Sequence, residues 1–189
     1  MGSKYAWTGV LLAGGKSTRM GQDKALLVID GKPLLLHGVE RLRPHVREVL
    51  VIGDPRKYGR IWPEVVPDEI PGMGPLGGIV TAMNAARFDR LLVMAVDVPG
   101  VNAALLERLV RELPEEADAL VPRHDGQLEP LVAGYHRRCL PALMERMMKG
   151  QLSMHGALEG INTAFLDINP GEDGWPEDLF RNLNSPDDL

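Results

Sequence analysis

Cysteine is nearly absent from this chain, and long apolar runs are absent altogether. The 189 residues include one cysteine, Cys139, which excludes an internal disulfide and the paired-cysteine patterns of zinc sites. No apolar run approaches the about 18 residues that cross a bilayer, and residues 1–9 lack the apolar segment of a signal peptide. We therefore expect a cytoplasmic protein without membrane contact, in which Cys139 is a packing residue.

An excess of positive charge is also missing. The chain carries 21 lysines and arginines against 26 aspartates and glutamates, which gives a net charge of -5. This balance provides no general attraction to nucleic acid or to an anionic membrane, so we expect neither as a partner. Any anion-binding site must be a local concentration of positive charge. The length fits a single domain over residues 1–189.

Short apolar runs alternate with helical patterns along the chain. This alternation predicts an α/β fold of three layers, in which helices cover both faces of a mostly parallel, Rossmann-like sheet. A further apolar run at 131–135 follows a polar turn and fits an antiparallel strand. The predicted strands are 8–13, 48–52, 91–96, 119–121 and 163–167, and the predicted helices are 33–42, 75–86, 102–113 and 137–149.

The first motif, at residues 11–27, reads LLAGGKSTRMGQDKALL. Its "GKS" would end a P-loop only if residue 10 were glycine, but residue 10 is Val10, and Gly9 lies one position too early, inside the strand. The dinucleotide fingerprint G-x-G-x-x-G also fails, because no offset from Gly14 or Gly15 fits. The motif therefore belongs to neither of these two phosphate-binding classes.

The same motif still favours a polyphosphate site. Gly14 and Gly15 follow a strand, where an α/β fold places its ligand, and their missing Cβ atoms allow a close approach to the backbone. Three cations, Lys16, Arg19 and Lys24, follow within nine residues in a chain that is acidic as a whole. Backbone N–H donors and mobile cations together suit phosphate groups. The alternative is a solvated basic loop.

A second signal is Asp97, in the stretch LLVMAVDVPGV at 91–101. A buried strand ends at this carboxylate, which places it at the same end of the sheet as Gly14. Mg²⁺ prefers one or two carboxylates together with substrate phosphates, so Asp97 is the candidate metal ligand. The alternative is an N-cap for the predicted helix 102–113, a role that Asn102 fits better.

A third signal is Asp68, in the stretch VVPDEIPGMGPLGGI at 65–79. Its carboxylate can accept hydrogen bonds from a base or a ribose. The glycines of this stretch leave room for a flat ring against the backbone; they are Gly72, Gly74, Gly77 and Gly78. Taken alone, an ordinary loop explains the stretch equally well.

These segments, in this order, resemble the molybdenum cofactor guanylyltransferase family (the MobA type), whose signature reads L-A-G-G-x-S-x-R-M-G-x-D-K. GPLGGI (74–79), VDVP (96–99), EPLVAGYH (129–136) and NLNSPDDL (182–189) match as well, so the resemblance spans nearly the whole chain. It implies a fold like that of the nucleotide-diphospho-sugar transferases. "LAGG" together with "GPLxG" resembles the guanine-using branch rather than the cytidylyltransferase branch, which makes Gly14, Gly77 and Gly78 the glycines that favour GTP.

The resemblance also implies roles for individual residues. Lys24 and Arg19 would hold the triphosphate, and Asp97 would ligate Mg²⁺; these three form the expected catalytic set. Position 53, where related enzymes can carry an asparagine that touches the nucleotide, is Gly53 here and offers no side chain. The residues expected at the guanosine are Leu12, Ala13, Gly14, Gly15 and Asp68, and those expected at the acceptor are Pro130, Asn182 and Asn184.

The implied activity is GMP transfer from GTP to the molybdenum cofactor with release of pyrophosphate and with Mg²⁺ as cofactor. GTP and molybdopterin would be the partners, with contacts to other cofactor-biosynthesis proteins or molybdoenzymes, and a monomer is expected. Three alternatives stay open at this point. They are cytidylyl transfer to the same cofactor, nucleotidyl transfer to a sugar or polyol phosphate, and a non-catalytic GTP-binding or cofactor-binding module.

Overall fold

A computed structural model describes residues 6–14 and 23–183. A central sheet of eight strands runs through this part of the chain in the order β5-β4-β1-β6-β9-β7-β10, with β8 paired to β7. A separate hairpin joins β2 to β3. The strands are β1 (Trp7–Leu12), β2 (Val28–Ile29), β3 (Lys32–Pro33), β4 (Glu48–Ile52), β5 (Val65–Val66), β6 (Arg90–Ala95), β7 (Ala119–His124), β8 (Gln127–Leu128), β9 (Val132–His136) and β10 (Thr163–Asp167).

The first half of the sheet is parallel, as the sequence predicts. Strand β1 is buried along its whole length, which is typical of a strand covered on both faces. It pairs in parallel with β4 and β6, so that Leu12 lies opposite Ile52 on one side and opposite Ala95 on the other. Strands β5, β4, β1 and β6 therefore end at one edge, here called the carboxyl edge.

Strand β9 confirms the predicted antiparallel strand. It is inserted between β6 and β7 and runs antiparallel to both, with Val132 opposite Met94. Because β7 is antiparallel to β9, the end of β7 at His124 returns to the carboxyl edge. The turn from β7 to β8 uses Asp125 and Gly126, both with positive φ, as a two-residue hairpin requires.

Helices cover both faces of the sheet, which confirms the three-layer prediction. One apolar cluster packs helices α1 and α4 against one face, and a second packs α3, α5 and α6 against the other. Asn102 caps α4 as predicted, since its Oδ1 accepts from Leu105 N at 3.0 Å. The helices are α1 (Leu34–Leu42), α2 (Pro55–Tyr58), α3 (Gly74–Ala85), α4 (Ala103–Glu112), α5 (Leu140–Met148) and α6 (Met154–Glu159).

Residues 168–183 carry no helix or strand, yet they pack closely onto the body of the protein. Leu179, Phe180 and Leu183 are buried. Gly100, just after the strand that leads to Asp97, lies so close that an added Cβ would stand 2.2 Å from the carbonyl oxygen of Asp178. Residues 168–183, the C-terminal segment, thus lie at the carboxyl edge and pack against the residues that follow β6. None of the helices in the described part of the chain is long and apolar enough to span a membrane.

Candidate functional site

Strands β1, β4, β5 and β6 are each followed by a residue that the sequence motifs indicate. Gly14 follows β1, Gly53 follows β4, Asp68 follows β5 and Asp97 follows β6. The common direction of these strands brings the four positions to the carboxyl edge, the place where open α/β sheets bind their ligands. The predicted gathering of the three motifs is therefore present in the fold.

Lys24 and Asp97 meet directly, although 73 positions separate them. Lys24 Nζ lies 3.2 Å from Asp97 Oδ2. The two side chains are 18% and 28% exposed, so the pair is accessible from solvent. An ion pair of this exposure contributes at most about 1 kcal/mol, and a bound triphosphate can take Asp97's place on Lys24 at little cost. The structure thus places the expected phosphate-binding cation beside the expected metal ligand.

The backbone N–H groups just after β1 donate to a neighbouring strand, whereas the sequence predicts that they donate to phosphate. The amides of Ala13 and Gly14 both donate to the carbonyl oxygen of Ile52, at 3.0 and 3.1 Å, so they are not available as phosphate donors. Gly14 is nevertheless exposed, and a Cβ there would meet nothing nearer than 3.8 Å. No packing within the described residues requires a glycine at this position, and a glycine there permits the close approach of a ligand to the backbone.

Asp68 is held in place by a buried residue of α3. Its Oδ1 accepts from Thr81 Oγ1 at 3.3 Å and from the amide of Ile70 at 3.4 Å. Thr81 is 1% exposed, whereas Asp68 is partly exposed. Within the described residues Oδ2 takes no hydrogen bond. The carboxylate is therefore fixed on one oxygen and can accept from a base or a ribose with the other.

Backbone conformation and local packing account for the glycines between Gly72 and Gly78, so their expected role in making room for the base stays a prediction. Gly72 and Gly74 have positive φ, a conformation that favours glycine in any turn. Gly77 and Gly78 are buried in α3. A Cβ on Gly78 would stand 3.1 Å from Leu12 and one on Gly77 2.7 Å from Met73, so both serve packing.

Two further residues at the carboxyl edge were missed in the sequence. Tyr58 is 3% exposed, and its hydroxyl lies 2.8 and 2.9 Å from the two carboxylate oxygens of Asp23. Burial, reinforced by Asp23, raises the pKa of Tyr58, so the hydroxyl remains a proton donor. The ring lies over Gly53, where a Cβ would come within 2.6 Å of it. The Tyr58 ring therefore occupies the space that a side chain at position 53 would need.

The predicted acceptor residues differ in their surroundings. The amide of Leu183 donates to the carbonyl oxygen of Asp97 at 2.8 Å, which places the exposed Asn182 beside the candidate metal ligand. Pro130, in contrast, is buried, and its carbonyl oxygen accepts from the Tyr135 hydroxyl at 2.7 Å. Burial does not favour direct contact of Pro130 with a substrate, and its expected role at the acceptor stays a prediction.

Side chains next to Pro130 form a polar and aromatic group at the same edge. His124 Nε2 lies 2.8 Å from Glu129 Oε1, and the His124 ring stacks on Phe180 with centroids 4.7 Å apart. His124 and Glu129 are 15% and 20% exposed. Pairing with a carboxylate and stacking on a ring make His124 a better candidate for the acceptor side than Pro130.

Several predicted residues lie outside the part of the chain that the structure describes. They are Gly15, Lys16, Arg19 and Asn184. Their expected roles at the phosphates and the acceptor stay predictions.

Comparison with known proteins agrees with this arrangement. Residues 9–163 match the family described as the MobA-like NTP transferase domain. A protein of Pelotomaculum thermopropionicum, named a probable molybdenum cofactor guanylyltransferase, is 38% identical over 96% of this chain and 89% of its own. One of the same name from Chloroflexus aggregans is 36% identical over 96% and 91%.

A solved structure shows the same fold. The crystal structure of molybdopterin-guanine dinucleotide biosynthesis protein A from Archaeoglobus fulgidus superposes with a TM-score of 0.80. It is 26% identical and covers 96% of this chain and 94% of its own. Sequence match, fold and the meeting of Lys24 with Asp97 at the carboxyl edge lead to one conclusion: the chain belongs to the MobA-like NTP transferase family.

Proposed function

We propose that this protein transfers GMP from GTP to the molybdenum cofactor, forming the guanine dinucleotide and releasing pyrophosphate. The observation that carries the proposal is the Lys24–Asp97 pair, 3.2 Å apart at the carboxyl edge, between the nucleotide-side and acceptor-side residues. The names of two full-length relatives at 36% and 38% identity support guanylyl transfer over the alternatives.

The reaction suits a site without a strong general base. A phosphate oxygen of the cofactor attacks the α-phosphorus of GTP; a new P–O bond forms there, and the bond from the α-phosphorus to the bridging oxygen breaks as pyrophosphate leaves. Because the attacking group is already an anion, the protein has to reduce repulsion between anions and align the attack. Lys24 supplies positive charge at the triphosphate, and Arg19 is expected to assist it.

The residues at Asp97 fit Mg²⁺. This ion keeps several waters and takes one or two carboxylates together with phosphate oxygens. Asp97 offers one accessible carboxylate, and no group of three or more His, Cys, Asp or Glu lies together within residues 6–14 and 23–183. That donor set suits an ion held jointly with the nucleotide. When bound, Mg²⁺ would neutralise charge on the phosphates.

The remaining chain groups are assigned by position. Asp68, fixed by Thr81, accepts from the guanosine, and Gly14 allows the nucleotide to approach the strand end. Asn182 and the His124–Glu129 pair lie on the side where the acceptor phosphate must enter. We also propose that the protein acts in the cytoplasm, as a monomer, and that it passes its product to proteins that assemble molybdoenzymes.

The test is a comparison of nucleotides. Purified protein is incubated with Mg²⁺, molybdenum cofactor and GTP, CTP or ATP in separate reactions, and pyrophosphate and dinucleotide are measured. Product with GTP alone is the expected result. Product with CTP would overturn the choice of base, while product only with a sugar or polyol phosphate as acceptor would overturn the choice of cofactor. GTP binding without any product would indicate a non-catalytic binding module.

A further inference from the structure

We infer that Tyr58 is a positioning residue for nucleotide binding, which fixes Lys24 through Asp23. The inference rests on the proposed function, because it assigns Tyr58 to the triphosphate side of that same site. Its basis is a continuous set of contacts from Gly53 to Asp97, in which each member is held by the one before it.

The first contact is between Tyr58 and Gly53. Helix α2 begins after Asp54, whose side chain caps it by accepting from the amide of Arg56, and the helix ends at Tyr58. The ring then folds back over Gly53, where a Cβ would stand 2.6 Å from Cε2 and 2.8 Å from Cδ2. Only a glycine at position 53 leaves this space, so Gly53 and Tyr58 act as a pair.

The second contact joins both sides of the glycine- and cation-rich motif. The Tyr58 hydroxyl lies 3.2 Å from the carbonyl oxygen of Ala13, which precedes the motif's glycines. It also lies 2.8 and 2.9 Å from the carboxylate of Asp23, which follows the motif's Arg19. A hydroxyl has one proton, and the shorter bonds to a charged acceptor take most of it. The buried hydroxyl therefore binds mainly Asp23 and only weakly Ala13, the residues on either side of the motif.

The third contact, between Asp23 and the backbone amide of Ala25, fixes the position of Lys24. Asp23 Oδ1 accepts from the amide of Ala25 at 3.2 Å and so caps the single turn of 3-10 helix at Lys24–Leu26. Lys24 is the first residue of that turn, and its Nζ reaches Asp97. Asp23 does not itself reach Asp97; it sets where the Lys24 backbone lies. Loss of the Tyr58 hydroxyl therefore loosens the lysine without removing it.

The chain provides a matched control at the opposite edge of the sheet. Thr8 is fully buried, and its hydroxyl donates to Glu48 Oε1 at 2.6 Å. Glu48 also accepts from the amide and the guanidinium of Arg87, just as Asp23 accepts from the Ala25 amide and from Lys57. Tyr58→Phe and Thr8→Val each delete one hydroxyl-to-carboxylate bond and leave the carboxylate with comparable partners.

The experiment measures equilibrium binding of GTP with Mg²⁺ and without acceptor, the steady-state KM values and thermal unfolding for both variants. We expect Tyr58→Phe to weaken GTP binding roughly 5- to 20-fold and to leave the acceptor KM within about twofold. This is less than the roughly 10- to 150-fold worth of a hydrogen bond to a charged group, because the bond is also lost from the nucleotide-free protein. Thr8→Val should lower the unfolding temperature similarly but leave GTP binding within about twofold. Equal GTP affinity in Tyr58→Phe and wild type, or equal losses in both variants, would overturn the inference.

A second variant tests the pairing with Gly53. Gly53→Ala should weaken GTP binding because the added Cβ displaces the ring, and the double variant Gly53→Ala/Tyr58→Phe should bind GTP about as well as Tyr58→Phe alone. Independent, multiplying losses would contradict the pairing.

Failure of the inference and failure of the proposed function have different signatures. A wild-type protein that binds GTP but forms no dinucleotide would overturn the proposed transfer reaction. The comparison of GTP affinity among wild type, Tyr58→Phe and Thr8→Val would still decide the role of Tyr58. Normal GTP affinity in an active Tyr58→Phe enzyme sinks the inference alone. Absence of any affinity for GTP, CTP or ATP in the wild type overturns both.

Discussion

The two halves of the carboxyl edge are built differently. The nucleotide half comprises β5, β4 and β1 with the residues that follow them, and its strands are all parallel. The acceptor half comprises β9, β7 and β10 with residues 168–183, and it contains the antiparallel β9. Asp97 lies at their boundary: its carboxylate meets Lys24 of the nucleotide half, and its carbonyl oxygen meets Leu183 of the acceptor half.

The difference shows how each half is encoded. In the nucleotide half, every strand leads directly into a residue of the proposed site, so a short motif specifies both the strand and the residue at its end. In the acceptor half, distant segments meet through side chains, as His124 and Phe180 do when their rings stack 4.7 Å apart. Sequence motifs therefore identify the residues of the nucleotide half, whereas those of the acceptor half can be identified only from the packing in the fold.

Removal of the charge at the boundary should have the largest effect. Asp97→Asn keeps the shape but loses the negative charge that pairs with Lys24 and suits Mg²⁺. We expect turnover to fall at least about 100-fold, with GTP affinity largely retained. Steady-state kinetics and equilibrium GTP binding check this. Glu112→Gln, at an exposed pair with Arg108, is the control and should be neutral; full turnover in Asp97→Asn would exclude this carboxylate as metal ligand.

Two glycine substitutions should separate the halves. Gly100→Ala forces a Cβ against the carbonyl oxygen of Asp178, so we expect a loss of about 1–3 kcal/mol in the free energy of unfolding and a raised acceptor KM. Gly14→Ala meets no atom nearer than 3.8 Å and should leave stability unchanged while weakening GTP binding. Denaturant titration and both KM values give the answer. The same phenotype in the two variants would mean that the halves are not separable.

A smaller effect on GTP binding is expected from loss of the Thr81 hydroxyl, which holds Asp68 in the nucleotide half. Thr81→Val removes the bond at 3.3 Å that holds Asp68, without changing the size of the buried side chain. Loss of an ordinary hydrogen bond costs about 1 kcal/mol, so the KM for GTP should rise roughly fivefold with the acceptor KM unchanged. Kinetics with each substrate varied in turn measure this. A raised acceptor KM would contradict the assignment of Thr81 and Asp68 to the nucleotide half.

The smallest effect is expected at Cys139, which belongs to the core beneath both halves. Burial, with a smaller contribution from Asp118, raises the pKa of the Cys139 thiol to about 12. The group is 2% exposed and protonated at neutral pH, so iodoacetamide should leave the native protein unmodified and fully active. Mass spectrometry should detect alkylation only in denaturant. Rapid labelling of the native state would show that this core opens readily.

The sheet could be predicted because its strands are apolar and short. The predicted run 91–96 and the observed Arg90–Ala95 differ by one residue. Strand β7 extends past the predicted end at residue 121 because Pro122, Arg123 and His124 are paired by neighbouring strands rather than selected by hydrophobicity. Helix α6 was not predicted, since its six residues are too few for a periodic pattern.

The site could be predicted where a polar residue ends an apolar strand, as at Asp97. It could not be predicted where membership of the site depends on the direction in which a side chain points. Tyr58 and Asp23 lie 35 positions apart with no shared motif, so their hydrogen bond is visible only in the fold. The sequence equally could not show that Pro130 is buried, because its neighbour Glu129 is partly exposed.

The bond from the Leu183 amide to the Asp97 carbonyl has a consequence for synthesis of the protein. Translation proceeds from the amino terminus, so every strand of the sheet exists before the residues that back the Asp97 loop. The segment that seats Leu179 and Phe180 against Gly100 arrives last. A nascent or truncated chain that ends before residue 179 therefore contains every strand of the sheet but lacks the contacts that support the Asp97 loop.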